Sequence, residues 1–208
     1  MSKVFTLHGW SFDSSVWSLS SYKDAVHLEL PGHGNSPFKS QDVVSLAKEI
    51  GDFIPEKSTL VGWSLGATVF SLTAFFYPEK IEKLVLFSPT PAFSGISQKE
   101  VVVKRFLKNL SRDFKKTVIY FRSLCSKHSY PILDLSPEVV VNLLSSFCKI
   151  DISPYLDELK VPIEIFVGEK DEITKLEGAF LFWKRVKKGK LSVVPGEDHL
   201  TILTSFRF

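Results

Sequence analysis

The sequence predicts an α/β fold in which a mostly parallel sheet is flanked by helices. Short apolar runs recur along the chain, longer amphipathic stretches separate them, and one helical insertion interrupts the alternation. Runs that are apolar throughout are typical of strands buried on both faces of a parallel sheet. The predicted strands are residues 4–7, 25–30, 59–63, 83–87, 163–167 and 191–194.

Three helices are predicted between these strands. Ser40 is a suitable N-cap for the first helix, because apolar side chains follow it at spacings of three and four residues. Residues 65–77 are apolar almost all round, as expected of a helix packed in the centre of a layer. The third predicted helix covers residues 176–186.

The alternation of strands and helices stops at residue 92 and resumes after residue 150. Helical patterns fill this segment, which lies between two predicted strands. We therefore interpret residues 92–150 as a helical cap over the edge of the sheet where the strands end. The predicted organisation is one α/β core, residues 1–91 and 151–208, with the cap as an insertion and not an independent domain.

The composition fits a compact domain and argues against several other classes of protein. The 208 residues are 44% hydrophobic and 24% charged, which is ordinary for one globular domain. Because there is neither a bilayer-spanning apolar run nor a signal-peptide pattern, we expect a cytoplasmic protein with no membrane partner. A net charge of +3 is too small to indicate nucleic-acid binding. Cys125 and Cys148 form no CxxC motif and are expected to be reduced, structural residues.

Residues 62–66 read Gly-Trp-Ser-Leu-Gly, a G-x-S-x-G motif between a predicted strand and a predicted helix. This context is that of the nucleophile elbow, in which the serine occupies a strained turn at the top of the sheet. Glycine is required on both sides, because a larger residue would collide with the neighbouring backbone. The motif predicts an α/β-hydrolase fold with Ser64 as the nucleophile.

A serine nucleophile needs a general base, and the chain offers five histidines. In this fold the order along the chain is serine, acid, histidine, and the histidine follows the last strand. His199 alone fits that position, in the loop after residues 191–194. The other candidates lie in a strand, a turn or the cap, and are interpreted as structural or surface groups: His27, His33 and His128.

The acid of the triad is predicted in the loop after strand 163–167. Asp171 is the first aspartate beyond the turn, and its role is to orient the histidine and stabilise the imidazolium. Glu169 and Glu172 remain alternatives, because side-chain directions in a loop cannot be deduced from sequence. Asp198 is interpreted as a loop residue. The loop after strand 83–87 carries no carboxylate, which favours Asp171.

The first strand leads into His8-Gly9-Trp10. In α/β-hydrolases this loop supplies one backbone N–H of the oxyanion hole, and the residue after the nucleophile supplies the other. We assign these donors to Trp10 and Leu65. The predicted chemistry is hydrolysis through an acyl-enzyme, for which neither a metal nor an organic cofactor is required.

Longer motifs resemble a particular family. Residues 7–13 (LHGWSFD), 30–36 (LPGHGNS), 62–66 and 110–124 of the cap are similar to the pimeloyl-[acyl-carrier protein] methyl ester esterases of biotin synthesis. The resemblance implies that the acyl chain passes under the cap and that an acidic acyl carrier protein docks on basic cap residues. It also implies that the substrate is lined by Trp10, Leu65, Phe121 and His199. Relative to that family, we expect a core shortened at both termini.

The cap carries the charge that such docking needs. Residues 99–127 contain nine basic and two acidic residues, a net +7, which suits an acidic partner. By position the resemblance implies docking at Lys116, while Tyr120 occupies the family's second basic position, and Lys115 and Arg122 are predicted to join the docking surface. A merely solvated helix face would explain the charges equally well.

Other functions remain open at this point. The same triad would serve a general short-chain carboxylesterase, a thioesterase or a lyase of this fold. A non-catalytic binding protein is a further alternative, although such a protein would not need all three triad residues. We expect a monomer.

Overall fold

In the computed structural model, which describes residues 3–18, 20–128, 130–131 and 134–205, six strands form one parallel sheet in the order β2-β1-β3-β4-β5-β6. The strands are β1 (Lys3–Leu7), β2 (Val26–Leu28), β3 (Ser58–Trp63), β4 (Ile81–Phe87), β5 (Ile163–Gly168) and β6 (Gly189–Val194). All six predicted strands are present, and every pairing is parallel. The strand ends that carry loops to the site therefore lie on one edge of the sheet.

The strands differ in how completely they are buried. Strands β3 and β4, in the middle of the sheet, are mostly buried, as the apolar runs predict. Strand β6 forms an edge, and exposed and half-buried residues alternate along much of it. The prediction of burial on both faces is wrong for β6 and for β2, because these strands form the two edges of the sheet, where fewer elements pack against them.

Helices connect the strands on both faces of the sheet. They are α1 (Val43–Phe53), α2 (Leu65–Phe76), α3 (Glu100–Arg112), α4 (Phe114–Cys125), α5 (Pro137–Lys149), α6 (Ser153–Leu156) and α7 (Lys175–Arg185). Helix α1 begins two residues later than predicted. Its N-cap is Asp42, whose carboxylate accepts the Ser45 N–H at 2.9 Å. The Ser40 N–H instead donates to Glu49, so the Ser40 cap was wrong.

Helices α3, α4 and α5 fill the segment between β4 and β5. The insertion begins and ends at one place, since Ala92 forms an antiparallel bridge with Asp151 and the Ile152 N–H donates to the Pro91 carbonyl at 2.8 Å. Helix α3 contacts both α4 and α5, and α5 reaches α1. The division into a core and a cap stays a prediction. Residues 1–2 and 206–208, at the predicted ends of the core, lie outside the described residues.

Two apolar clusters pack against the sheet. The larger one contains α1, α2 and most of the cap's buried side chains. The smaller one joins Phe12 and Trp63 to Cys125 at the end of α4 and to Ile202 near the chain's end. Cys125 and Cys148 are free, buried thiols. Within the described ranges, no helix is both long and apolar enough to cross a membrane.

Candidate active site

Ser64 stands between β3 and α2 in a strained backbone conformation. Its φ of 56° and ψ of −118° fall outside the regions that ordinary residues occupy. The Ser64 N–H donates to the Phe87 carbonyl at 2.9 Å, and the Ser64 carbonyl accepts from the first turn of α2. The side chain therefore stands at the N-terminus of a buried helix, where the helix dipole favours negative charge.

The two glycines of the motif are needed for this turn. A Cβ on Gly62 would lie 2.7 Å from the Ala67 Cα, and a Cβ on Gly66 would lie 2.3 Å from the Leu7 carbonyl oxygen. Both obstacles are backbone atoms, which cannot rotate aside as a side chain can. The steric reason predicted for the glycines is therefore present in the structure.

Asp171 and His199 come together across two neighbouring strand ends. The His199 Nδ1–H donates to the Asp171 Oδ2 at 2.8 Å, and both side chains are almost completely buried. The loop of Asp171 is joined to that of His199, because the Lys170 N–H donates to the Glu197 carbonyl at 2.8 Å. A carboxylate on Nδ1 leaves Nε2 as the nitrogen free to accept a proton.

The Asp171 carboxylate is held in its charged form. Burial alone would raise its pKa, but the neighbouring His199 and several hydrogen bonds more than offset this and lower the pKa well below its usual range. Its Oδ1 accepts the backbone N–H groups of Ile173 at 2.8 Å and Thr174 at 3.0 Å. The Thr174 hydroxyl donates to Oδ2 at 3.0 Å. These three donors thus fix this carboxylate beside the imidazole.

The other carboxylates near this loop serve different purposes. Glu169 accepts the Gly196 N–H at 2.9 Å, and Glu172 is exposed. Asp198 accepts the N–H groups of Leu200 and Thr201 and so starts the short 3-10 helix Thr201–Leu203. Of the acids considered from sequence, Asp171 is the one bonded to His199.

Trp63 connects the serine turn to the histidine loop. Its indole N–H donates to the His199 carbonyl at 2.8 Å, and the two rings lie 5.2 Å apart. The cap joins the same loop, since the Leu200 N–H donates to the Cys125 carbonyl at 3.3 Å. Ser64, the residue after Trp63, is therefore on the same edge of the sheet as His199, and the arrangement suits nucleophilic attack assisted by a base.

The loop after β1 lies directly against the serine. A Cβ on Gly9 would lie 3.0 Å from the Trp63 ring and 3.2 Å from the Ser64 Cβ, so any larger residue here would require these side chains to shift. The Gly9 carbonyl accepts from the His8 Nδ1–H at 2.8 Å and from the Phe12 N–H at 3.4 Å. The two predicted oxyanion donors, the backbone N–H groups of Trp10 and Leu65, belong to this loop and to the first turn of α2.

Two further histidines, His33 and His8, form hydrogen bonds to this loop. The Ser11 N–H donates to the His33 Nε2 at 2.9 Å, and the His33 Nδ1–H donates to the Pro31 carbonyl at 2.9 Å. Burial, and to a smaller extent His8, lowers the pKa of His33 to about 3. His8 pairs with Glu29 at 2.7 Å. His33 is thus a neutral structural residue, as predicted, but the sequence did not reveal its partner.

Three aromatic rings from separate elements meet beside the loop. Trp10 contacts Phe121 of α4 edge to face at 5.1 Å and Phe106 of α3 at 5.8 Å, and the two phenylalanines are 5.7 Å apart. The Trp10 indole donates to the Val140 carbonyl at 2.8 Å. We call Trp10, Phe106 and Phe121 the aromatic trio. Phe106, which lies on the α3 face that meets α4, was not predicted as a site residue.

The predicted docking residues do not share one surface. Lys115 and Lys116 are exposed at the start of α4, and Tyr120 is 59% exposed. Arg122 is only 6% exposed, and its guanidinium donates to the Ser11 and Pro131 carbonyls. The assignment of Arg122 to a docking surface was therefore wrong, because its charge faces inward. The other eight basic residues of 99–127 are exposed.

Comparison with known proteins agrees with this architecture. A profile of the alpha/beta hydrolase family matches residues 4–205. The chain is 32% identical to the pimeloyl-[acyl-carrier protein] methyl ester esterase of Aeromonas hydrophila, over 91% of this chain and 77% of that protein. It is 29% identical to the protein of the same name from Wigglesworthia glossinidia brevipalpis, over 95% and 86%. A hydrolase from Oleispira antarctica has a similar fold, with a TM-score of 0.86 at 15% identity, covering 98% of this chain and 86% of that one.

Proposed function

This chain belongs to the alpha/beta hydrolase family and is an ester hydrolase, and from this premise we propose that Ser64, His199 and Asp171 form its catalytic triad. The observation that carries the proposal is the buried 2.8 Å hydrogen bond between His199 and Asp171. It lies at the sheet edge where Ser64 occupies its strained turn. Such a pair prepares an imidazole to accept a proton from a serine hydroxyl.

The proposed reaction has two steps. The Ser64 Oγ attacks the ester carbonyl carbon while the His199 Nε2 takes its proton, and the carbonyl oxygen becomes an oxyanion. The N–H groups of Trp10 and Leu65 donate to that oxyanion, each contributing about 3 kcal/mol to lowering the barrier. His199 returns the proton to the departing alcohol. Water, activated by the same histidine, then cleaves the acyl-enzyme.

Asp171 has an electrostatic task throughout this sequence. Its carboxylate keeps the proton of His199 on Nδ1 and stabilises the imidazolium formed in each step. The hydrogen bonds from Ile173, Thr174 and the Thr174 hydroxyl hold the carboxylate in place. Because its pKa is lowered, Asp171 stays ionised at neutral pH.

The proposed substrate is pimeloyl-[acyl-carrier protein] methyl ester, cleaved to release methanol in biotin synthesis. Support comes from the two relatives described above, both of which bear that substrate in their names. The aromatic trio offers an apolar wall for a chain of methylene groups beside the oxyanion loop. A general carboxylesterase, a thioesterase or a lyase of this fold remains the alternative.

For the carrier protein we propose Lys115 and Lys116 as docking cations. Both are exposed at the start of α4, and Lys116 lines an open groove of about 510 Å³ between α3 and α4. Its lining combines charge with an aromatic ring: Asn109, Arg112, Asp113, Lys116, Thr117 and Tyr120. An acidic carrier would be drawn to such a surface.

Active-site labelling tests the triad. A fluorophosphonate probe should modify Ser64 in the wild-type protein, as read by mass spectrometry of the peptide. Ser64→Ala should abolish both labelling and ester hydrolysis, while Ser71→Ala, which removes another buried hydroxyl in α2, should keep them. A folded wild-type protein that neither reacts nor hydrolyses esters would favour the non-catalytic binding alternative.

A comparison of two substrates tests the carrier protein. We expect Lys115→Glu with Lys116→Glu to lower kcat/KM for the carrier-linked methyl ester roughly 10-fold, because reversing exposed charges weakens the encounter. Turnover of free methyl pimelate should not change. Lys187→Glu with Lys188→Glu is the matched control. These exposed lysines directly precede β6, and the site lies where the strands end. Equal turnover of both esters in every variant would contradict carrier recognition.

We also propose that the protein acts as a monomer in the cytoplasm. The triad, the oxyanion donors and the aromatic trio all come from one chain, so no second copy is needed to complete the site. Sedimentation at working concentration and fractionation of cells test these two statements.

A further inference from the structure

The buried Arg122 links the cap to the loop after β1. Its guanidinium donates to the Ser11 carbonyl and, at 2.6 Å, to the Pro131 carbonyl. The guanidinium carbon lies 5.2 Å from the Phe12 ring centre and 5.7 Å from that of Tyr130. Burying an arginine is costly unless its donors are satisfied. Here the two terminal nitrogens donate to carbonyls, while Nε has no partner among the described residues.

Arg122 acts on a residue that is already held on its other side. The Ser11 N–H donates to His33, and the Ser11 carbonyl accepts from Arg122. Ser11 adopts a left-handed conformation with a φ of 66°, which costs a non-glycine residue free energy. Bonds to both of its peptide groups compensate that cost.

The direction of the Trp10 N–H follows from these bonds. The Phe12 N–H closes a turn onto the Gly9 carbonyl, and Ser11 is inside that turn. Because each peptide group is planar, fixing the Gly9 carbonyl fixes the N–H of Trp10 on the opposite side of the same plane. If the bonds to Ser11 are lost, the Trp10 N–H is no longer held in this direction.

We propose that Arg122 is a positioning residue that holds the loop of residues 9–12 so that the Trp10 N–H can stabilise the oxyanion. This inference rests on the proposed function, since it assigns Arg122 a part in the same reaction. It also couples the cap to catalysis, because α4 carries both Arg122 and Phe121 of the aromatic trio.

An arginine suits this role better than a lysine would. The planar guanidinium presents several donors at fixed angles and also stacks on aromatic rings. One arginine side chain can therefore donate to two carbonyls and contact two aromatic rings. A lysine ammonium keeps the charge but has no planar fork. A docking cation, by contrast, needs only its charge, so Arg122→Lys separates the two roles.

Steady-state kinetics on a small activated ester, p-nitrophenyl acetate, tests the proposal without a carrier. We expect Arg122→Met and Arg122→Lys to lower kcat about 10- to 100-fold, below the loss caused by removing an oxyanion donor outright. KM should change by less than about 3-fold, since the oxyanion forms only in the transition state. Arg185→Met, which removes an exposed arginine paired with Asp157, should match the wild type.

Hydrogen–deuterium exchange supplies a readout that does not need activity. In Arg122→Met and Arg122→Lys, the peptide covering residues 9–12 should exchange faster, while α2 keeps its protection. Wild-type kcat and unchanged exchange in these variants would overturn the proposal. If the wild type hydrolysed no ester and failed to label Ser64, the proposed function would fail, and unchanged exchange would then reject the loop contact independently.

Discussion

Replacing His33 by glutamine removes a buried imidazole that the folded protein keeps neutral. Burial lowers the pKa of His33 from 6.5 to about 3, whereas in the unfolded chain it should remain near 6.5. Between these values the unfolded state binds a proton that the folded state does not. The contribution of His33 to the free energy of unfolding therefore falls as the pH decreases from about 6.5 towards about 3, and it levels off below that.

The size of this effect follows from linkage. One proton of difference changes the free energy of unfolding by about 1.4 kcal/mol per pH unit, so His33 should account for roughly 3 kcal/mol of loss by about pH 4.5. Protonation would also turn Nε2 from an acceptor into a donor facing the Ser11 N–H. Acid should therefore break the bond between His33 and Ser11, which holds the loop of residues 9–12, as well as destabilise the fold.

Urea titrations at neutral pH and at about pH 4.5 measure the effect. His33→Gln keeps an acceptor within reach of Ser11 but has no proton to bind, so its loss of stability on acidification should be smaller than that of the wild type by roughly 3 kcal/mol. His128→Gln removes an exposed histidine of the cap and should retain the wild-type pH dependence. Identical losses in the wild type and His33→Gln would refute the reasoning.

Three further substitutions, one of them with a control variant, test the site and the scaffold around it. Asp171→Asn should lower kcat about 10⁴-fold with an unchanged circular dichroism spectrum, because an amide cannot hold His199 in the required tautomer; near-wild-type turnover would exclude Asp171 from the triad. Gly66→Ala should lower the free energy of unfolding by about 3 kcal/mol, measured in urea, because the new Cβ would lie 2.3 Å from a backbone oxygen; Gly95→Ala, where nothing lies within 4 Å, should cost about 1 kcal/mol through its positive φ. Phe106→Ala should raise KM for a long-chain ester about 10-fold more than for an acetate ester, and equal changes would show that the aromatic trio does not contact the acyl chain.

Much of the architecture was predictable because local pattern and global topology agree. Continuous apolar runs identify the strands, and parallel strands place the loops of Ser64, Asp171 and His199 on one edge. The order of these residues along the chain placed the acid in the loop after β5, but it left Glu169 and Glu172 as alternatives. The hydrogen bond to His199 identifies Asp171. Residue type alone did not decide where α1 begins, because Asp42 and Ser40 are both suitable N-caps. In the structure the Ser45 N–H donates to Asp42, which is therefore the cap.

The misassigned arginine shows what a count of charges cannot reveal. Residues 99–127 are strongly basic, but a count does not say which face of the helix a side chain occupies. Arg122 is spaced four and three residues from Val118 and Cys125, both buried, so its position in the helical period indicated the inner face. Its acceptor, Ser11, is 111 residues away in the chain, and no local pattern predicts such a contact.

The bonds at the end of α4 have a consequence for protein engineering. The last turn of this helix reaches one active-site loop through Arg122 and Ser11, and the other through the Cys125 carbonyl and the Leu200 N–H. A chimera that exchanged the whole insertion for that of a relative would alter the scaffold of the reaction centre along with the entrance for the acyl group. Redesign of chain-length preference should therefore begin on α3, which offers Phe106 without carrying either of these links.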